Sequence, residues 1–484
     1  MLDLFPVNAW ITLPLIVITV FLASLFKSKI VRLPIILVMT IFIVMELVSI
    51  YFSGGFIDYQ FYVNLNVNDI IEGLIIFKFQ AVLTIVVFLF LLWIMLKFSR
   101  FLQQKIRLLF RILILILAII PLNYRQGPFD KLVEIYRVVS APKMEFDVAL
   151  KQLGMVDYVH KSELTASKGK NIIVISLESF EQNFMNFDKV TPNLRAIRDK
   201  YTFYPNMPMG VGSSWTTASM YTYMTGMPFL VGGGNTTPLS NVDATNLISL
   251  GDVLHKAGYQ TDYIIGSPTF AGIGHIISFL GFNIISEKSY PGQYPDAPFG
   301  LYDKDIFDIA KRKIEDYSHD DKPFALFIST ISTHAPNGFY DARMESVIDK
   351  NLDNLSFAGT SLDYNLGQFI RYLEDEDKLD NTVFYIFPDH LMMGSGTKTI
   401  AELAKNERLL YLITNATSNE TKFDSANNIY QIDLPVIILN GADISTNARF
   451  LTDYLPSGSD KKAFIDQHKS EVATINRSAG VILK

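Results

Sequence analysis

Four long apolar segments in the first quarter of the chain constrain what that part of the protein can fold into. They are residues 10–26, 33–52, 79–96 and 108–122. Two of them contain no charged side chain, and the other two contain one each, Glu46 and Arg111. Because a bilayer-spanning helix needs about 20 mostly apolar residues, the pattern predicts four transmembrane helices. A signal peptide would explain only the first segment, and four buried helices of a soluble domain are the remaining alternative.

The charges between these segments predict their orientation. The first and third connections are rich in Lys and Arg, whereas residues 53–73 contain neither. Basic connections tend to stay in the cytoplasm, so the first and third loops are predicted to be cytoplasmic. Everything after about residue 123 is then predicted to lie outside the cytoplasmic membrane.

The composition excludes several classes of function. The chain has 484 residues, enough for two or three domains, and 49% of them are hydrophobic. It contains no cysteine, which excludes disulfides, thiolate zinc sites and a cysteine nucleophile. The formal net charge of −6 gives no indication of nucleic-acid binding.

The chain changes character after its apolar part, which is taken as a domain of residues 1–122. Residues 123–165 are mixed and polar and are interpreted as a membrane-proximal linker. Residues 166–484 contain the strand-like runs NIIVISL, TDYIIGS, PFALFIST, TVFYIFPD and LPVIILN, separated by helix-length segments such as DIFDIAKRKIEDY. Strands that alternate with helices predict an α/β domain with a largely parallel central sheet.

Polar side chains follow several of these runs, where a buried strand would end. Glu178 follows NIIVISL, Asp389 and His390 follow FYIFP, and His334 follows PFALFIS. Ligands of parallel sheets gather beyond the carboxyl ends of the strands. A buried carboxylate is costly unless it pairs with a cation, so Glu178 is predicted either to face solvent or to bind a cation.

A stretch of small residues supplies a candidate hydroxyl group. The segment GSSWTTASM, residues 212–220, leads into a predicted helix that ends at Thr225-Gly226. A hydroxyl at a helix N-terminus lies at the positive end of the helix dipole, which favours an alkoxide or a bound phosphate. Ser and Thr at this position are also common N-caps, so this stretch alone does not identify a catalytic group.

The combination of these groups predicts a metal site. Glu178, Thr216, Asp389 and His390 together offer three oxygens and one imidazole. This donor set suits a hard or borderline divalent ion. Such an ion would give Glu178 its cation, and it would lower the pKa of the Thr216 hydroxyl so that the oxygen becomes a usable nucleophile.

The motifs ISLES, GSSWTTASM, STHAP and FPDH, in this order after several apolar helices, resemble the phosphoglycerol transferase and lipoteichoic-acid synthase family. That family is part of the sulfatase and alkaline-phosphatase superfamily. The stretches MTGMP, LGDVLHKAGYQTDYIIG and QIDLPVIILNGADI extend the resemblance over roughly residues 170–445. It implies a sulfatase-like α/β domain outside the cell membrane, attached to a multi-pass helix bundle in a bacterial cytoplasmic (inner) membrane.

The resemblance also implies roles for the residues of the predicted metal site. Glu178, Asp389 and His390 would be metal ligands. Thr216 would be both the fourth ligand and the nucleophile, because the family's threonine follows Trp in a similar W-T-x-A-x-M stretch. Thr217 is the competing choice of nucleophile.

Further residues are implied to contact the substrate. His334 would bind or protonate the phosphoryl group, and the loop that contains Phe299, Tyr302 and Asp303 would contact the glycerol head group. Related enzymes often have Trp where Phe299 stands, so this loop departs from the family pattern.

The implied reaction is the metal-dependent transfer of phosphoglycerol from phosphatidylglycerol to an envelope glycan or polyol-phosphate polymer, through a phospho-threonine intermediate. One divalent ion is expected, with manganese preferred over magnesium or zinc, and membrane lipids are expected partners.

Phosphoethanolamine transferases are the first alternative, but they usually carry disulfides, which this chain cannot form. A sulfatase proper would need a C/S-x-P-x-R motif, which is absent around residue 216. A catalytically silent, membrane-anchored protein that binds envelope polymer is the second alternative.

Overall fold

The computed structural model describes residues 7–65, 67–120, 127–231, 245–269, 272–394, 397–456 and 458–480. The chain divides into two compact units. The N-terminal unit comprises Met1–Tyr136 and Met393–Ala401, and the C-terminal unit comprises Arg137–Met392 and Glu402–Lys484. The boundary after Tyr136 falls inside the segment that the sequence suggested as a linker.

The described part of the N-terminal unit is helical. Its helices are α1 (Val7–Ser24), α2 (Lys29–Ser53), α3 (Tyr59–Val63), α4 (Val67–Ile76), α5 (Lys78–Lys105), α6 (Leu108–Ile119) and α7 (Pro128–Val139), the last of which continues into the C-terminal unit. All four predicted apolar segments are therefore helical, as α1, α2, α5 and α6. Helices α2 and α5 are long and apolar enough to cross a membrane, whereas the apolar parts of α1 and α6 are shorter. Four crossings remain a prediction.

Apolar packing holds the longest of these helices together. Leu15 of α1, Ile36 and Ile43 of α2, and Met95 of α5 belong to one buried cluster. In contrast, most large side chains along α5, such as Trp93, are exposed. An apolar core combined with an apolar outer surface is the pattern expected of helices that face lipid.

A seven-stranded sheet forms the centre of the C-terminal unit. Its strands are β1 (Asn171–Leu177), β2 (Thr202–Met207), β3 (Gln260–Ile264), β4 (Asn283–Ile285), β5 (Phe324–Ser329), β6 (Thr382–Pro388) and β7 (Leu410–Thr414). Their order is β2-β7-β6-β1-β5-β3-β4. The five strands from β6 to β4 are parallel, while β7 pairs antiparallel with β6 and β2 pairs antiparallel with β7. The predicted, largely parallel sheet is confirmed.

Helices cover this sheet. They are α8 (Phe146–Gln152), α9 (Pro192–Lys200), α10 (Thr216–Thr225), α11 (Leu250–Lys256), α12 (Ile273–Phe279), α13 (Asp303–Tyr317), α14 (Asn354–Asp375), α16 (Ser418–Thr421), α17 (Leu434–Gly441), α18 (Lys461–Gln467) and α19 (Lys469–Ser478). Helix α15 (Lys398–Leu403) begins within Met393–Ala401, which belongs to the N-terminal unit. One group packs α10 against α11, α12 and α17, and another packs α13 against α14, which contacts α9. Strands β1, β5 and β6 are buried along almost their whole length, which explains their uninterrupted apolar sequences.

Not every element matches the sequence-based prediction. The run LPVIILN, predicted as a strand, forms helix α17. A short continuous apolar run does not distinguish a buried strand from a buried helix, and Pro435 in the first turn suits a helix start. Strands β2, β4 and β7 were not predicted. Strand β2 contains Pro205, which is tolerated because β2 lies at the sheet edge.

Candidate functional site

Two neighbouring strands bring the predicted acidic residues together. In the parallel pairing of β1 with β6, Leu177 lies opposite Pro388. Glu178 and Asp389 are the next residues on each strand, so their side chains emerge side by side at the carboxyl end of the sheet. The Asp389 backbone N–H continues the pairing by donating to the Leu177 carbonyl at 3.0 Å.

His390 completes a cluster of three buried metal-ligating groups. The ligand atoms of Glu178, Asp389 and His390 all lie within 4.8 Å of one another. His390 Nε2 is 3.5 Å from Glu178 Oε1 and 3.5 Å from Asp389 Oδ2. All three side chains are buried. The structure therefore brings together three of the four residues predicted as metal ligands.

The fourth predicted ligand, Thr216, meets this cluster from helix α10. Thr216 is the first residue of α10, and its Oγ1 donates to Glu178 Oε2 at 3.0 Å and lies 3.3 Å from His390 Nε2. Helix α10 ends as predicted, because Gly226 adopts a left-handed conformation with φ 65. Thr217 is buried within the same turn of the helix. The hydroxyl of Thr216 thus lies both at the helix N-terminus and next to the cluster.

The His390 ring is oriented by a backbone carbonyl. His390 Nδ1 lies 2.8 Å from the Leu391 carbonyl oxygen. Because a carbonyl only accepts hydrogen bonds, Nδ1 carries a proton, and Nε2 is the ring nitrogen that faces the carboxylates. A hydrogen bond of this kind commonly orients a metal-binding histidine.

The electrostatics of the cluster favour the binding of a cation. Burial, and then the negative charge of Glu178, raise the pKa of Asp389 to about 7. Burial alone would lower the pKa of His390, but the carboxylates of Asp389 and Glu178 outweigh it and raise the pKa. Two buried carboxylates and an imidazole lone pair therefore converge on one point, and their donor atoms fit a divalent cation.

Hydrogen bonds from neighbouring residues fix the carboxylates. Ser179 adopts a left-handed conformation with φ 54, its N–H donates to Asp389 Oδ1 at 2.8 Å, and its hydroxyl donates to Glu178 Oε1 at 2.8 Å. Gln431 Nε2 donates to the Asp389 carbonyl at 2.6 Å and to Ser219 Oγ at 2.9 Å, which ties the turn after β6 to α10. Sequence analysis did not single out Ser179 or Gln431, although both lie inside motifs that carried the resemblance.

His334 lies in the loop after β5, next to aromatic rings. Its ring centre is 4.8 Å from that of Phe299 and 6.0 Å from that of Phe339. Its Nδ1 lies 2.8 Å from the Ala335 carbonyl oxygen, so Nδ1 carries the proton in the neutral ring. Burial lowers the pKa of His334 to about 4. His334 is therefore neutral at pH 7, and its Nε2 can accept a hydrogen bond or a proton.

The three residues of the predicted substrate loop have different surroundings. Phe299 packs directly on His334, and the Tyr302 ring lies 5.5 Å from the guanidinium carbon of Arg343. Asp303 instead faces the protein, where its Oδ1 accepts the backbone N–H groups of Ile331 at 2.7 Å and of the next residue at 3.0 Å. The structure therefore places Phe299 beside His334, whereas the Asp303 carboxylate holds the backbone of the loop that leads to His334.

Comparison with known proteins identifies the family of this chain. A family model described as Sulfatase matches residues 170–438, which is more than half of the chain. The chain belongs to the sulfatase family. The predicted superfamily and the sulfatase-like α/β domain are thereby confirmed.

Curated relatives are similar over a limited range. Phosphoglycerol transferase I of Xanthomonas axonopodis pv. citri (strain 306) is 28% identical over 260 residues, covering 51% of this chain and 37% of the relative. Phosphoglycerol transferase I of Escherichia fergusonii is 29% identical over 241 residues, covering 46% of this chain and 31% of the relative. This sulfatase-family chain thus matches about a third of the length of these curated relatives.

A solved structure has a similar fold. The crystal structure of a lipoteichoic acid synthase from Listeria monocytogenes superimposes with a TM-score of 0.50 and 19% sequence identity. The match covers 64% of this chain and 81% of that structure. At this identity the likeness concerns the fold alone.

Proposed function

We propose that the protein is a membrane-anchored phosphotransferase, which transfers phosphoglycerol from phosphatidylglycerol to an envelope glycan or a polyol-phosphate polymer. The observation that carries the proposal is the contact of the Thr216 hydroxyl with Glu178, 3.0 Å apart, at the first turn of α10. A hydroxyl in that position combines a helix N-terminus with a cluster of metal-ligating groups. The similarity to proteins named phosphoglycerol transferase I supports this head group.

The metal would be held by Glu178, Thr216, Asp389 and His390, and we propose manganese, with magnesium or zinc as the alternatives for the same donor set. When bound, the ion would supply Lewis acidity to the threonine hydroxyl and to the phosphoryl oxygens. The protein contributes the orientation of each ligand. Leu391 fixes the His390 ring through Nδ1.

The chain's own residues suit a two-step transfer. In the first step, Thr216 Oγ1 forms a bond to phosphorus, the bond from phosphorus to the diacylglycerol oxygen breaks, and the threonine proton ends on diacylglycerol. In the second step, an acceptor hydroxyl forms the new bond to phosphorus and Thr216 regains a proton. The N-terminus of α10 favours the negative charge that builds up on the phosphoryl oxygens in both steps.

His334 is suited to move a proton in these steps. Because its Nδ1 donates to the Ala335 carbonyl and burial lowers its pKa to about 4, the ring begins as a proton acceptor. We propose that Nε2 takes the proton of the acceptor hydroxyl in the second step, as a general base. Phe299 keeps the imidazole in place by ring contact.

The helices of the N-terminal unit are proposed to anchor the protein in a bacterial cytoplasmic membrane by several crossings. The C-terminal unit would lie on the outer side, where the head groups of the outer leaflet and the envelope acceptor are found. Anchoring raises the local concentration of the lipid donor at the site.

The test measures diacylglycerol release from fluorescent phosphatidylglycerol by the full chain in nanodiscs with Mn²⁺. We expect Thr216→Ala to lower release by more than about a thousandfold, because removal of a nucleophile removes the covalent route. Thr217→Ser is the matched control and should retain release. A glycerophosphoryl group on Thr216, detected by mass spectrometry of the quenched enzyme, would identify the intermediate.

Other outcomes would contradict the proposal in distinct ways. Full release by Thr216→Ala would exclude Thr216 as the nucleophile. Release from phosphatidylethanolamine but not from phosphatidylglycerol would identify the head group as phosphoethanolamine. Metal binding without release from either lipid, in the presence of envelope polymer, would favour a silent envelope-binding protein.

A further inference from the structure

A buried ion pair lies directly behind the metal-binding turn. We infer that Glu181 and Arg408 form a positioning pair, which holds the backbone after His390 and thereby sets the metal affinity of the centre. The inference rests on the metal centre of the proposed function. Neither residue is a ligand in that proposal, and neither was singled out from the sequence.

The pair is closely matched in geometry. Glu181 is fully buried, whereas the Arg408 side chain is partly exposed. Arg408 Nε donates to Glu181 Oε1 at 2.9 Å and to Oε2 at 3.0 Å, and Nη2 also donates to Oε2. Such two-pronged contacts between a guanidinium and a carboxylate are strong and restrict the angle between the two groups.

The same pair binds both polar backbone groups of Met392. The Met392 N–H donates to Glu181 Oε2 at 2.9 Å, and the Met392 carbonyl accepts from Arg408 Nη2. Met392 is itself buried. One ion pair therefore fixes the peptide units on both sides of a residue that lies two positions after His390.

This contact reaches the metal site through Leu391. The Leu391 carbonyl belongs to the peptide that Glu181 holds by the Met392 N–H, and it accepts the proton of His390 Nδ1 at 2.8 Å. If that peptide rotates, His390 loses the bond that directs Nε2 towards Glu178. Partners that orient a metal-binding histidine typically contribute 10- to 100-fold in metal affinity or activity.

The chain path explains why the turn needs such a support. The chain leaves the C-terminal unit after Met392 and returns to it at Glu402. Residues 181–183 hold the returning segment, because the Gln182 N–H donates to the Leu409 carbonyl and Asn183 Nδ2 donates to the carbonyls of residues 403 and 407. The pair thus joins the two ends of the segment Met393–Ala401, which begins just after the proposed metal ligands.

The test compares Mn²⁺ affinity with stability in the full chain in nanodiscs. Glu181→Gln removes the charge while keeping the size of the side chain, and Arg408→Lys keeps the charge while losing the forked contact. We expect each variant to raise the Mn²⁺ dissociation constant about 10- to 100-fold. We also expect diacylglycerol release to recover largely at saturating Mn²⁺, because the ligands themselves are intact.

Lys313→Gln is the matched control for the loss of an ion pair. Lys313 contacts the buried Asp262 at 3.3 Å, on β3, which is two strands away from β1. This variant should lower the thermal midpoint measured with a chelator and leave Mn²⁺ affinity unchanged.

Three results would overturn the inference. Wild-type Mn²⁺ affinity in both pair variants, with only a lowered thermal midpoint, would mean that the pair is merely structural. An affinity loss as large in Lys313→Gln would mean that general destabilisation is the cause. Absence of Mn²⁺ binding by the wild type would remove the metal centre itself.

If the wild type binds Mn²⁺ with pair-dependent affinity but releases no diacylglycerol, the proposed reaction fails while the positioning role stands. Should Glu181→Gln not fold, Arg408→Lys alone decides, since it retains the buried charge pair.

Discussion

The two histidines of the site are held in the same way but lie in opposite electrostatic surroundings. Each donates Nδ1–H to the carbonyl of the following residue. His390 faces two carboxylates that raise its pKa, whereas burial beside aromatic rings lowers the pKa of His334. The same tautomer therefore suits two tasks: one nitrogen lone pair for a cation and one for a proton.

Asp303 gives a residue-scale prediction about pH and stability. One of its oxygens accepts two backbone N–H groups, whereas Oδ2 is buried without a hydrogen-bond partner among the described residues. Burial raises its pKa from the ordinary 3.8 to about 6. The protonated carboxyl is thus favoured in the folded state, and its stabilising contribution, complete below about pH 4, is lost as the pH rises through 6.

The variant Asp303→Asn keeps an oxygen acceptor but cannot ionise. Relative to the wild type, it should gain stability between pH 4 and pH 7, by up to about 3 kcal/mol for a shift of roughly two pKa units. Denaturant unfolding of the full chain at several pH values measures this difference. Asp308→Asn, a change of an exposed carboxylate of α13, is the control and should show no such trend. A pH-independent difference between wild type and Asp303→Asn would contradict the argument.

At the scale of elements, the sequence predicted the strands that are buried on both faces and a helix with one regular apolar face. Strands β1, β5 and β6 were recognised because they are buried on both faces, and α13 because it has one apolar face. Helix α17 was taken for a strand because its apolar run is as continuous as theirs. Strand β7 went unrecognised although its sequence, LYLIT, is fully buried, because such a short run carries little signal.

The sequence likewise predicts some residues of the candidate site and not others. Glu178, Asp389 and His390 could be predicted because polar residues at strand ends are unusual after apolar runs. Arg408 and Gln431 could not be predicted, because their roles depend on contacts that are distant in the chain. Arg408 contacts Glu181, 227 positions away, and Gln431 contacts Ser219, 212 positions away. Charge and polarity at isolated positions do not reveal such contacts.

Helix α7 carries an apolar stripe on its exposed side. The stripe follows the i, i+3, i+4, i+7 spacing of one helix face and consists of Phe129, Leu132, Val133 and Tyr136. On another side of the helix, Ile135 and Val138 are buried. A helix that follows a series of apolar helices and exposes a second apolar face suits the interface of a bilayer.

Cysteine labelling tests this position, since the chain contains no natural cysteine. In nanodiscs, Leu132→Cys and Tyr136→Cys should react with a water-soluble maleimide at least tenfold more slowly than Asp130→Cys and Arg137→Cys. The latter two lie on the same helix and are also exposed, so they control for the local chain. Equal rates at all four positions would exclude burial of the stripe in lipid.

At the scale of the whole molecule, the proposed metal site predicts that folding stability depends on the ion, because the carboxylates of Glu178 and Asp389 are buried. Binding of an ion to the folded state alone stabilises it by about 2.7 kcal/mol when the free ion is at 100 times its dissociation constant. A chelator should therefore lower the thermal midpoint of the C-terminal unit by roughly 5–10 °C. His390→Gln should remove most of this response. An unchanged midpoint after chelation of the wild type would argue against a resident ion.

The pairing of β1 with β6 has a consequence for how the protein is made. The contact between Ser179 and Asp389 joins positions 210 residues apart, and contacts of such long range form slowly because a large loop must close first. Thr216 is synthesised long before Asp389 and His390. Under the proposed function, the chain would therefore be inert towards lipid until nearly all of the C-terminal unit has been made and folded.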